Sequence, residues 1–490
     1  MPKTPRRTLR AWACALPVLL AACGGGGDYG GGNPPPLSCS VIGGGGSSSP
    51  QPPVDGSVAG LKDWLRAYMN DSYFWYALAP NPSPAGYATV ASYFDALIYR
   101  GGGQIPGAPA GTLWPSDRYS NFQTTESFNR FFGAGQTLGY GVAVAGLEVT
   151  LPTPQPTQPL YVRYIEPTSP AALAANGPVR GDRVMSINGR AAADIIADPS
   201  EDRFSVLTPN ATGDQLTLVL RNAAGVERTV VLRAAIYSLT PVQNAQVLQS
   251  FGGRAMGYVM VKDMIDQATA PLDSAFANFR AQGVQDVVLD LRYNGGGLVS
   301  LGCTLASYTA GSRANGQTFA GLRYNDRKQS SNQDFLFSTN QAQWNGVARV
   351  FVLAGQRTCS ASEQVINGLR GVGVNVIAIG DTTCGKPVGF LPQGDSFGTT
   401  YSVVNFESVN ARNEGRYFDG FQPTCAVAED FSRPIGSTTD TLLVAAAHYV
   451  DNGACPAGTS IREQPQSRLS TPRARYSGAD GGERTGMSAR

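Results

Sequence analysis

The chain has 490 residues, room for two or three domains, and 42% of them are apolar, enough for a sizeable core. Charged residues make up only 15%, the formal net charge is +2 and no basic block is long, so the electrostatics point to no nucleic acid or other polyanionic partner. One His, His448, excludes zinc sites built on two histidines.

The first 22 residues read as an export signal. Lys3, Arg6, Arg7 and Arg10 precede an apolar run from Ala11 to Ala22 that is shorter than the roughly 20 residues a stable bilayer span needs. The run ends in Leu20-Ala21-Ala22-Cys23, which resembles the lipobox of bacterial lipoproteins. That resemblance implies cleavage before Cys23, acylation of its thiol and a lipid anchor in the bacterial cell envelope. Gly24 after the Cys, where Asp would otherwise direct sorting, implies the outer membrane, facing the periplasm. Residues 23–56 are Gly, Pro and Ser with few apolar residues and read as a flexible tether, about 30 Å root-mean-square in span.

Residues 57–134 read as a small helical domain. Leu61, Trp64, Leu65, Tyr68 and Met69 recur at helical spacing, as do Tyr93, Phe94, Leu97 and Ile98, with Asn81-Pro82-Ser83-Pro84 between them. Across 135–236 the pattern is of short strands, 142–149, 160–165, 183–187, 215–221 and 228–232, with one helix near 171–175. Across 237–458 strands and helices alternate: strands at 255–261, 287–291, 347–353 and 374–379, helices at 272–282, 298–309 and 361–370. This order predicts an α/β domain with parallel pairing. Residues 459–490 are polar and read as a tail without structure.

Three segments carry candidate chemistry. Thr358-Cys359-Ser360-Ala361-Ser362-Glu363 joins a predicted strand to a predicted helix, so the Ser360 hydroxyl lies beside free N–H groups of a helix start. Read alone, it is equally a helix cap with Glu363 closing a capping box. Gly380 to Lys386 matches G-x-x-x-x-G-K, but Pro387 stands where a phosphate loop needs Ser or Thr, and the residues that follow cannot open a helix. Nucleotide binding is rejected. Lys386 is one of five Lys among 38 Lys and Arg residues, and unlike Arg a desolvated Lys can act as a base. Asp290-Leu291-Arg292-Tyr293-Asn294-Gly295-Gly296-Gly297 puts three glycines after a buried strand, where backbone can approach a ligand. His448 lies in an apolar helical stretch, and no G-x-S-x-G turn exists to support a Ser-His-Asp triad.

Together these segments resemble the carboxyl-terminal processing peptidases, the tail-specific proteases, which carry D-L-R-x-N-x-G-G, then S-A-S-E, then G-K about 25 residues on. Here Lys386 follows Ser360 by 26 positions. The resemblance implies Ser360 as nucleophile, Lys386 as general base, and the N–H groups of Ala361 and of Gly296 or Gly297 as oxyanion donors. Glu363 falls on a supporting acidic position. Gly139-Tyr140-Gly141-Val142 resembles the carboxylate-binding loop of a PDZ domain, and 166–172 and 181–189 resemble its later motifs. The implied architecture is a crotonase-like protease core with an inserted or preceding PDZ domain and a small N-terminal helical domain. The implied function is a serine endopeptidase acting on exported proteins or peptides, with no cofactor and no metal. The alternative is a non-catalytic peptide- or lipid-binding protein on the same fold. Phe390 departs from the family, many members of which carry Gln four residues after the Lys.

Without Cys14 and Cys23, six cysteines remain, an even number that in an exported protein predicts disulfides but leaves 15 pairings open. Cys425 and Cys455 bracket one helical unit and are expected to pair. Cys359 and Cys384 each flank a residue of the implied dyad and form the second expected pair.

Overall fold

The computed structural model of the chain describes residues 39–45, 49–53, 56–147, 159–198, 205–338, 347, 349–459, 476–477 and 486–488. Residues 1–22, read from the sequence as an export signal, and Cys23 lie outside the described residues.

The two N-terminal helices begin where local chemistry starts them. Ser57 accepts the Gly60 N–H and opens Val58–Ser72, and Thr89 and Ser92 form a capping box at the head of Val90–Leu97. Their aromatic faces are buried together, Trp64, Tyr68, Tyr93 and Phe94 included. The cluster does not close on itself: Val388, Phe390, Tyr401 and Val404 belong to it, and Tyr401 stands edge-on to Trp64 at 5.5 Å between centroids. The helical segment therefore folds onto the chain that follows Lys386.

The middle segment forms an antiparallel sheet in the order Val142–Ala145, Leu160–Ile165, Arg183–Ile187, Gln215–Arg221, Glu227–Arg233. Leu216, Leu218 and Leu220 point inward, with Val230 and Leu232 opposite, giving the period-two burial of a one-sided sheet. The sequence predicted these strands to within two residues, except that the first ends at Ala145 and residues 148–150 are not described. The predicted helix is the single turn Pro170–Leu173, with Ser169 accepting the Ala172 N–H. Gln136–Gly139 and Ala235–Ser238, from the two ends of the segment, pair with each other.

The core sheet runs Val242–Gln249, Ala255–Val261, Asp286–Asp290, Arg349–Ala354, Val376–Gly380, Cys425–Ala426, and every pairing after the first is parallel. Its middle strands are buried on both faces, as their unbroken apolar runs require. Helices Thr269–Ala281, Val299–Ala310 and Ala361–Gly371 bury their apolar faces in one cluster with the sheet, and Thr441–Asn452 packs in a second. A second sheet has the order Ser40–Gly43, Gln333–Leu336, Thr318–Tyr324, Val404–Val409, Val388–Phe390, Gly486–Ser488, Gly296–Leu298.

Two sequence readings need correction. The tether is pinned within its length: Ser40–Gly43 pairs with Gln333–Leu336, and Cys39 is bonded to Cys303. A covalent tie and a strand ladder override the flexibility of a Gly-rich stretch. The tail contributes two short strands, Tyr476–Ser477 and Gly486–Ser488, because existing sheet edges supply the pairing that its polar composition cannot obtain from a core.

Candidate active site

Ser360 sits at the turn between strand Arg349–Ala354 and helix Ala361–Gly371. Its φ is +64° and its ψ −118°, a conformation L residues avoid. A backbone held there stores roughly 1–3 kcal/mol, and such strain persists only where the surroundings enforce it. They do so here: the Cys359 N–H donates to the Asn294 carbonyl at 3.1 Å, Ser362 Oγ donates to the same oxygen at 3.0 Å, and Thr358 Oγ1 donates to the Leu291 carbonyl at 2.8 Å. The Ser360 side chain is fully buried and its Oγ makes no hydrogen bond, so half of the capping box anticipated from the sequence is missing. An unspent, buried hydroxyl on a strained turn suits a nucleophile.

Glu363 makes the other half of the box and more. Its carboxylate accepts the N–H of Ser360 at 2.9 Å, of Gly385 at 2.8 Å and of Lys386 at 2.8 Å, with the Thr383 hydroxyl at 2.5 Å. Burial pushes its carboxyl up, while these donors pull it back toward the ionised form. One carboxylate thus joins the serine turn to the lysine loop. The sequence placed Glu363 in a helix cap; three of its donors lie twenty or more residues away, beyond the reach of local pattern.

Lys386 is 1% exposed. Its Nζ lies 3.9 Å from the ring centroid of Phe390 and 5.6 Å from that of Tyr119. Gly385 before it is needed as glycine: φ is +79°, and a Cβ would meet the Phe418 carbonyl oxygen at 2.1 Å. Tyr119 braces the loop by donating to the Gly385 carbonyl at 2.6 Å, and burial pushes its phenol up to about 12, so it stays a neutral donor. No pattern in the sequence singled out Tyr119.

Of the two glycines proposed as oxyanion donors, the Gly296 N–H donates to Asn294 Oδ1 at 2.8 Å. Gly297 has φ +138°, lies so close to Met264 that a Cβ would meet its carbonyl oxygen at 2.1 Å, and pairs in a ladder with Met487. Ala361 is the first residue of its helix, so its N–H has no carbonyl one turn back to bond. Asn294, quoted in the motif without a role, ties the glycine segment to the serine turn; its Nδ2 also donates to the Val261 carbonyl at 2.9 Å. Arg292 anchors the same segment through Asp290 at 2.8 Å and Asp440 at 2.7 Å, all three buried.

Cys359 and Cys384 are bonded, and so are Cys425 and Cys455. The first disulfide links the residue before Ser360 to the loop of Lys386. Cys359, Glu363 and Cys384 lie within metal-ligand reach of one another, but both sulfurs are spent in that bond. His448 stands on helix Thr441–Asn452 with Nδ1 3.2 Å from the Ala454 carbonyl.

The Gly139–Val142 loop leads into Val142–Ala145, the edge strand of its sheet. Its carbonyls are held, Tyr140's by the Ala171 N–H and Gly141's by the Glu166 N–H, both at 2.9 Å. A cleft beside it is lined by Gly139 to Ala143, Leu207 and Lys262.

A strained, buried serine at a strand-to-helix turn, a buried lysine on a loop joined to that turn through Glu363, and glycine-rich backbone are the parts from which a serine hydrolase site on an α/β fold is built. The profile of Peptidase family S41 matches residues 255–425, and that of the Peptidase S41 N-terminal domain matches 60–120. Over those residues the chain matches peptidase family S41, and it is a serine-type peptidase. Among solved structures it is similar to a chain from Bacteroides fragilis described as an S41 protease, with 24% identity over 80% of this chain and 97% of that one and a TM-score of 0.58, which shows a shared fold. It is also similar to the photosystem II D1 C-terminal processing protease, at 19% identity over 76% and 93% of the two chains, with a TM-score of 0.46. No curated protein matches it.

Proposed function

We propose that the chain is an exported, lipid-anchored endopeptidase in which Ser360 and Lys386 form the catalytic dyad and the cleft at Gly139–Val142 captures substrate ends. The observation that carries the dyad is Glu363, which accepts the backbone N–H of both Ser360 and Lys386. Two loops held by one carboxylate keep their side chains in a fixed relation, as proton transfer between them requires.

In this reading neutral Lys386 takes the Ser360 hydroxyl proton as Oγ bonds to the peptide carbonyl carbon. The N–H groups of Ala361 and Gly297 receive the oxyanion. The C–N bond then breaks, and the lysine returns the proton to the leaving amine. Water, giving a proton to the same lysine, then bonds to the acyl carbon; the C–Oγ bond breaks and the lysine returns the proton to Ser360 Oγ.

Capture at the edge strand Val142–Ala145 would add the substrate end as a further strand, with the Gly139–Val142 loop at its carboxylate. The anchor rests on Leu20–Cys23; no helix among the described residues is long and apolar enough to cross a membrane. A fluorophosphonate probe tests the assignment: peptide mapping should find the label on Ser360, and none on the Ser360→Ala variant. Labelling elsewhere with Ser360 unmodified would overturn it. Acyl mass on Cys23 of protein purified from membranes tests the anchor; soluble protein without it would refute that part.

A further inference from the structure

The two strands nearest the chemistry, Gly296–Leu298 and Val388–Phe390, do not pair with each other. Gly486–Ser488 lies between them and runs parallel to both: Gly297 pairs with Met487, and Phe390 with Ser488. The same segment packs against helix Ala361–Gly371, which Ser360 opens. Earlier in the tail, Tyr476–Ser477 pairs with Asn121–Thr124 at Phe122 and Gln123, so the tail is fastened at a second point.

Gly297 is the glycine proposed above as an oxyanion donor, and Phe390 is the ring against Lys386. The space between their strands is therefore the slot where an extended chain comes closest to both. Without an occupant, both strands present unpaired N–H and C=O groups, and a third strand is the ligand those groups recognise. Recognition through backbone makes the slot tolerant of side chains and specific for an unfolded, extended segment.

We infer that Gly486–Ser488 is an intramolecular occupant of the substrate slot and that substrates must displace it. The inference rests on the reading of Ser360 and Lys386 as the active site. A segment carried on the same chain competes at an effective concentration on the order of millimolar when its tether can span the sites, so even weak pairing holds back substrates present at micromolar levels. The protease is thus restrained by its own tail, and released when a long extended chain outcompetes it.

The test uses the full chain carrying Met487→Pro and Ser488→Pro. Two prolines remove two consecutive N–H groups, so the ladder fails on whichever side each one served. With a disordered test peptide, KM should fall on the order of tenfold while kcat stays unchanged. A second measurement needs no catalysis. A fluorescent peptide of residues 480–490 is titrated into Ser360→Ala protein with either the native or the proline tail. It should bind the proline-tail protein several-fold more tightly, and a disordered substrate peptide should displace it. Equal KM values together with equal peptide affinities would overturn the inference. If neither protein cleaves any peptide, the dyad assignment fails, while the binding comparison still decides who occupies the slot.

Discussion

The amine of Lys386 lies 3.9 Å from the ring centroid of Phe390, at the position where related peptidases carry a glutamine. An aromatic face stabilises an ammonium, by ~2 kcal/mol when the pair is desolvated. If Lys386 is the base proposed above, it must lose its proton first, and this contact would hold the enzyme back at lower pH. Phe390→Leu keeps an apolar side chain in the aromatic cluster, though one smaller than the ring, at a cost on the order of 1–2 kcal/mol in stability. The acid limb of its pH–rate profile should move to lower pH. An unmoved limb would show that the ring does not govern the lysine.

Glu363→Gln tests the carboxylate that joins the two loops. Gln turns an amide toward N–H groups that now meet an acceptor, and each charge-assisted bond lost costs about 1.5–3 kcal/mol. We expect kcat to fall on the order of 100-fold, the equivalent of about 3 kcal/mol, with KM little changed and the circular dichroism of the fold retained. Labelling of Ser360 by the fluorophosphonate should slow in parallel. A KM effect alone would assign Glu363 to substrate binding.

How far the site could be read from the sequence depended on how local each signal was. The strand-to-helix turn at Ser360, the glycines after Asn294 and the loop at Lys386 are short segments whose residue types state their own geometry, and the structure brings the three together through Glu363 and Asn294. The parallel strands were legible because burial on both faces leaves unbroken apolar runs. The second sheet was not: Val388–Phe390 and Gly296–Leu298 are three residues each, too short to show a period, and their partners are remote. Cys39–Cys303 spans 264 positions, and no local pattern could have chosen it over the other pairings. The brace from Tyr119 and the burial of Phe390 under the N-terminal helices arise only when distant segments pack.

The disulfide Cys359–Cys384 closes 25 residues and Cys425–Cys455 closes 30, so chain entropy assigns each about 3.5 kcal/mol. Their effects on catalysis should differ. Replacing both cysteines of either pair with Ser should lower the melting temperature by a similar amount. Only loss of Cys359–Cys384, which ties the serine turn to the lysine loop, should lower kcat of the folded enzyme. Equal kcat in both double variants would show that Glu363 and Asn294 hold the loops without help.

Capture at the Gly139–Val142 loop predicts a preference for a free carboxyl terminus. Amidating the terminus of a test peptide should raise KM several-fold and leave kcat alone. In Gly141→Ala the Cβ would meet Ser169 Oγ at 2.0 Å, at a φ of +78°, so the loop must shift and the discrimination should vanish. Equal KM for both peptides with the unaltered protein would place capture elsewhere.

The most direct test of the dyad is the rate of Lys386→Arg on a disordered peptide, beside Ser360→Ala as the inactive reference. Arg preserves the positive charge and much of the packing against Phe390 and Tyr119, but its guanidinium does not give up a proton in a protein. If Lys386 is the base, this variant folds and cleaves no faster than Ser360→Ala. Cleavage near the rate of the unaltered enzyme would contradict the account, because a residue that only supplied charge or packing would tolerate the exchange.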